Sequence, residues 1–106
     1  MYYFLAIFKE NETDIKIITE KKVIDDKNVS LPSNNYVKSL AEEIIELSHQ
    51  NKLFHNDIKR IGLKIDDPEF IGYNTVESLK SDMEKTFGFE AIIHNDYEDL
   101  LVQLIE

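Results

Sequence analysis

An α/β domain built on a mixed five-stranded sheet is the fold class this sequence predicts, and three observations predict it. The N-terminal third carries three short apolar runs joined by polar turns. Beyond Pro32, apolar residues recur at three- and four-residue steps in three separate stretches. Two further apolar runs, each too short for a helix, separate those stretches. The resulting order is β-β-β-α-β-α-β-α. Antiparallel strands followed by alternating helix and strand imply a mixed sheet with helices packed on it.

Each element has its own warrant. Residues 2–8, YYFLAIF, are apolar on both alternating faces, as a central strand covered on both sides requires. KENETD then turns the chain into IKIIT, and a second turn near Glu20 and Lys22 leads to a short strand at Val23 and Ile24. LPSNN interrupts the pattern with a proline and N-cap residues. Val37, Leu40, Ala41, Ile44 and Leu47 then form one helical stripe, with Lys38, Glu42, Glu43 and Glu46 on the other side. IKRIGLKI at 58–65 is the fourth strand, reached by a right-handed crossover and so parallel to the first. Asn74 with Glu77 fits a capping box, Val76, Leu79, Met83 and Phe87 form the next stripe, and Gly88 is the left-handed stop. FEAII at 89–93 is the fifth strand. From Tyr97 onward, Leu100, Leu101 and Leu104 give a last helix. The expected strand order is 3-2-1-4-5.

Composition bounds the function. The 106 residues form one domain, 1–106, able to remove roughly two-thirds of its unfolded surface from water. No apolar run approaches the roughly 20 residues that cross a bilayer. MYYFLAIFKE lacks a preceding basic segment and a small-residue cleavage site, so a first strand is expected there, and a cytoplasmic location. There is no cysteine, which removes disulfides, thiolate metal sites and a cysteine nucleophile. His49, His55 and His94 lack the i, i+4 spacing of a zinc pair, and neither a metal nor a cofactor is expected. Asp25-Asp26 and the DDPE stretch at 66–69 lack the spacing of a calcium loop and read as solvated turns. No Gly-x-Ser-x-Gly elbow is present. The formal net charge of −9 repels phosphate backbones, so nucleic acid is not an expected partner. Tyr2, Tyr3, Phe4 and Phe8 are therefore expected in the core rather than as a base-stacking platform. A basic protein surface suits such a charge better.

VESLKSDMEKTFGFEAIIHND resembles the second-helix and fifth-strand segment of ROK-family sugar kinases and repressors, whose N-terminal lobe has the ribonuclease H-like, actin-like ATPase fold. The likeness rests on Phe87-Gly88 ending a helix, a short strand, and closure on Asn95-Asp96. IKRIGLKI is similar to that family's fourth strand, and IGYN resembles its Gly-Trp turn with Tyr73 in place of the tryptophan. The resemblance covers nearly the whole chain but only the family's N-terminal lobe. It implies that Asp96 stands where a general base takes a proton from the sugar hydroxyl, with Asn95 holding the sugar beside it. A simpler reading of Asp96 is the N-cap of the last helix.

The departures from the family pattern are physical. Its first hairpin carries Asp-x-Gly-Gly-Thr, whose glycines let backbone N–H groups approach a phosphate. Here the stretch is IFKENET, with Phe8 at the aspartate's place and Glu10-Asn11 at the glycines'. A carboxylate about 4 Å from a phosphate is repelled by roughly 4 kcal/mol at an effective dielectric of 20. DDPEF replaces a Pro-Gly turn after the fourth strand, and the cysteine-rich zinc motif is absent. The lobe that holds most of the adenine nucleotide lies outside these residues. The expected function is therefore a non-catalytic N-lobe-like module acting on a homodimer mate or another protein partner. The alternatives are a small-sugar half-site or half-kinase completed by another chain, and a small acidic inhibitor or immunity-type protein.

Overall fold

Tyr3, Leu5 and Ile7 of the first strand face one side, Phe4, Ala6 and Phe8 the other, and apolar side chains pack against both sets. In the computed structural model, which describes residues 1–106, this strand is β1 (Tyr2–Phe8). It is followed by β2 (Thr13–Ile18), β3 (Val23–Val29), α1 (Tyr36–Gln50), β4 (Ile58–Lys64), α2 (Val76–Phe87), β5 (Glu90–His94) and α3 (Tyr97–Ile105). The five strands form one sheet in the order β3-β2-β1-β4-β5. β1 pairs antiparallel with β2 and parallel with β4, setting Leu5 against Lys16 and Phe4 against Ile61. β5 adds in parallel beyond β4. The element order is the one the periodicity predicts, and the strand order is the expected one, that of the ribonuclease H-like fold.

Two helices cover one face and a single helix the other. Leu40, Ile44 and Leu47 of α1 and Leu79, Met83 and Phe87 of α2 close the larger cluster, over Phe4, Ala6, Ile15, Ile17, Ile61 and Leu63. On the opposite face Leu100 and Leu104 of α3 lie on Tyr3, Leu5 and Ile18. Gly62 sets how closely α3 approaches, because a Cβ there would stand 3.2 Å from both leucines. Arg60 fastens the far end of α3: its Nη1 donates to the Leu104 carbonyl at 2.8 Å while its Nε meets Glu90 at 2.6 Å. That is cation stabilisation of a helix C-terminus.

Three local expectations give way to tertiary context. The third strand is not a two-residue run but seven residues long, and Asp25 and Asp26 lie inside it rather than in a turn. Its polar residues are tolerated because β3 is an edge strand, where charge also discourages stray pairing. Asp25 accepts from the Asn51 amide at 2.9 Å, and Lys27 pairs with Glu43 at 2.9 Å, so the edge is tied to α1. α2 is capped by Thr75, whose Oγ1 accepts from the Ser78 N–H at 3.0 Å; Asn74 lies one residue outside. At α1 the N-cap is Asn35, in the left-handed conformation (φ 59°), and its side chain accepts nothing. Gly88 ends α2 at φ 84°, as a left-handed stop requires.

Candidate functional site

β1, β4 and β5 run parallel, so their C-terminal ends lie along one edge of the sheet. That edge is where open α/β sheets bind ligands. Four segments reach it: the Lys9–Glu12 hairpin turn, the stretch before α1, the turn after β4, and Asn95-Asp96 after β5. They separate into two places, because β4 stands between β1 and β5 and puts them about 10 Å apart.

The Asn95-Asp96 place is exposed. The Asp96 carboxylate accepts from the Asp99 N–H at 3.0 Å through Oδ2 and so caps α3. The Asp96 N–H is itself held at 3.0 Å by His94 Nδ1. The His94 carbonyl accepts from Ile65 at 3.0 Å, fixing the strand end to the segment after β4. Neither Asn95 nor Asp96 lines any of the five main clefts. The chemistry here is that of a satisfied helix start with one carboxylate oxygen to spare.

The hairpin corner is built differently. Its turn closes by paired backbone bonds between Lys9 and Glu12 of 2.8 and 3.3 Å, and neither Glu10 nor Asn11 takes a positive φ. Lys9 does not point a free charge at the edge. Its Nζ sits 2.6 Å from Asp14, which also accepts from Asn28. The hydrogen bond from Lys9, helped by that from Asn28, holds the Asp14 carboxyl below the usual carboxylate range; the same bond raises Lys9. Behind the turn, Tyr36 and Thr13 share a buried hydroxyl–hydroxyl bond of 2.6 Å, and burial pushes the Tyr36 phenol up to about 12.

Aromatic rings occupy the rest of the corner. Phe8 meets Tyr36 edge-on with centroids 5.8 Å apart and stacks on Phe70 at the same separation, the planes inclined by 17°. Phe70 comes from the 3-10 turn Pro68–Ile71, which Asp67 starts by accepting from the Glu69 N–H at 2.9 Å and Gly72 ends in the left-handed conformation. DDPE is thus a capped turn rather than a merely solvated one. Phe8, Lys9, Glu10, Ser33, Asp66 and Phe70 line a cleft of about 690 Å³, and a smaller pocket of about 160 Å³ lies beside it, reaching Thr13 and Tyr36. Sequence reasoning identified Phe8 and Glu10 but missed Phe70 and Ser33. The only signal for Phe70 is a large aromatic residue two places after a proline, outside any periodic stripe.

A further polar cleft, about 470 Å³, lies between the start of α1 and α2. Tyr73 donates to the Asp82 carboxylate there, anchoring the IGYN turn to α2. Burial, and then the carboxylate beside it, hold the Tyr73 phenol well above its ordinary range. No three His, Asp or Glu side chains converge as ligands for a metal ion, and no helix is long and apolar enough to cross a membrane.

No protein-family model matches the chain, and no curated protein sequence does. Among solved structures, it is similar to the Lmo2764 protein of Listeria monocytogenes, provisionally assigned as an N-acetylmannosamine kinase. The TM-score is 0.60 at 14% identity, over 88% of this chain and 34% of that one. The chain spans about a third of the length of the protein it matches. At that identity the likeness is one of fold: a five-stranded mixed sheet in the order 3-2-1-4-5 with three helices, shared with a segment of that protein.

Proposed function

We propose that this chain is a non-catalytic relative of the sugar-kinase N-lobe that works by binding a protein partner rather than by transferring a phosphoryl group. One observation carries the reading. The corner where the kinase hairpin approaches nucleotide phosphates has an acidic residue at its tip, a lysine spent on Asp14, and two stacked phenylalanines behind it. Phosphoryl transfer depends on positioning and charge neutralisation. This corner supplies neither: Glu10 adds negative charge, and by the resemblance it replaces a glycine whose backbone would make the approach.

A second reading, a sugar half-site completed by another chain, draws on Asn95 and Asp96. Both are exposed at the ligand-binding edge of the sheet, and Asp96 uses only Oδ2 in capping. The two are separated by incubating the chain with radiolabelled ATP, magnesium and N-acetylmannosamine, and by titrating the sugar alone in a calorimeter. The binding-module reading predicts neither labelled sugar phosphate nor heat at millimolar sugar. Labelled product overturns it. Heat without product, abolished in Asp96→Asn, moves the assignment to the half-site.

A further inference from the structure

The cleft at the hairpin corner combines features that a plain acidic surface lacks. Its floor is aromatic, its rim is anionic, and its one lysine is spoken for. Phe70 is 55% exposed, lines the cleft, and has one face of its ring stacked on Phe8, which leaves the rest of the ring accessible. Glu10 and Asp66 line the same cleft, and Glu12 joins Glu10 in the smaller pocket beside it. Lys9 is matched by Asp14 at 2.6 Å, and Lys64 stands 3.9 Å from Asp66. Glu10 and Glu12 have no ion-pair partner, so the rim carries surplus negative charge.

An open aromatic face flanked by carboxylates is the complement of a cationic side chain. A guanidinium stacks on the ring while its N–H groups bond to the carboxylates, and its weak hydration makes it easier to bring there than an ammonium. We propose that this cleft receives an arginine side chain of a basic protein partner, with Phe70 as the platform and Glu10 and Asp66 as the acceptors. A second copy of the chain fits poorly, since each copy brings the same −9 charge to the encounter. A phosphate-bearing ligand is repelled by the rim. The inference rests on the binding-module reading above and names the chemistry of its partner.

The test uses the 106-residue chain, labelled with ¹⁵N and titrated with an alternating arginine–glycine octapeptide, a lysine–glycine octapeptide and a glutamate–glycine octapeptide. The expected result is saturable movement of amides in 8–13, 33 and 66–72 with the arginine peptide, weaker with lysine and absent with glutamate. Raising salt from 20 to 500 mM weakens that binding about tenfold. Phe70→Ala weakens it about three- to tenfold, and Glu10→Lys, at an exposed turn, does so without touching the core. Movement elsewhere, no movement, or a response in both variants as strong as that of the wild type overturns the proposal. So does a response to neutral hexose that matches the peptide's and ignores salt. Because no nucleotide is present, failure here leaves the result of the phosphoryl-transfer assay independent.

Discussion

Asp96 shows how one carboxylate can serve two readings and how substitution divides them. Its Oδ2 accepts from the Asp99 N–H at 3.0 Å. Asp96→Ala removes that bond and is expected to cost about 1 kcal/mol, a fall of roughly 4–8 °C in melting temperature for a domain near this size. Asp96→Asn retains an acceptor oxygen and is expected to melt within a degree or two of wild type, as thermal unfolding will show. The cap was legible in the sequence, because an aspartate directly before an apolar helical stripe has few other ways to satisfy the first N–H groups. Phe70 was not legible, because its role depends on Phe8, sixty-two positions earlier, arriving beside it. Tyr36 and Thr13 are a similar long-range pair. Tyr36→Phe leaves a buried hydroxyl without its partner and is expected to destabilise by about 1 kcal/mol in denaturant unfolding. The Tyr36 phenol is raised from about 10 to about 12 in the fold. The stability this represents is whole below pH 10 and is lost as pH rises from 10 toward 12. Wild type should therefore lose stability over that interval more steeply than Tyr36→Phe.

The helices on the two faces depend on glycines in different ways, one as a stop and one as a seat. Gly88 ends α2 at φ 84°, and a Cβ there would also stand 3.0 Å from His55 Nε2. Gly88→Ala therefore meets backbone and steric cost together and is expected to destabilise by about 1–2 kcal/mol, read as a shift in urea midpoint. Gly62→Val drives two methyl groups at Leu100 and Leu104 and should cost about 1–3 kcal/mol, loosening α3 first in hydrogen exchange. Gly88 was readable as a stop because a helical stripe ends immediately before it. The third strand was not: alternation fails in VIDDKNV because an edge strand needs no continuous apolar face. The Asn74–Glu77 spacing also misled by one position, since Thr75 offers an equally good cap acceptor and the chain used it.

At the scale of the molecule, strand order followed from rules with few exceptions: short links give antiparallel neighbours, helical crossovers give parallel ones. Those rules say nothing of what fills a corner where four loops meet, and the site was only half readable for that reason. The fold is shared with a segment of a protein provisionally assigned as an N-acetylmannosamine kinase, and the hairpin corner of this chain holds stacked phenylalanines and surplus carboxylates. Its incompatibility with a nucleotide is the claim on which the functional reading depends. Amide spectra of the ¹⁵N-labelled chain, recorded while magnesium and ADP are added to several millimolar, test it most directly. The account predicts that the resonances of Lys9 to Thr13 stay where they are. Saturable movement of those resonances, reversed on removing the nucleotide, would contradict it.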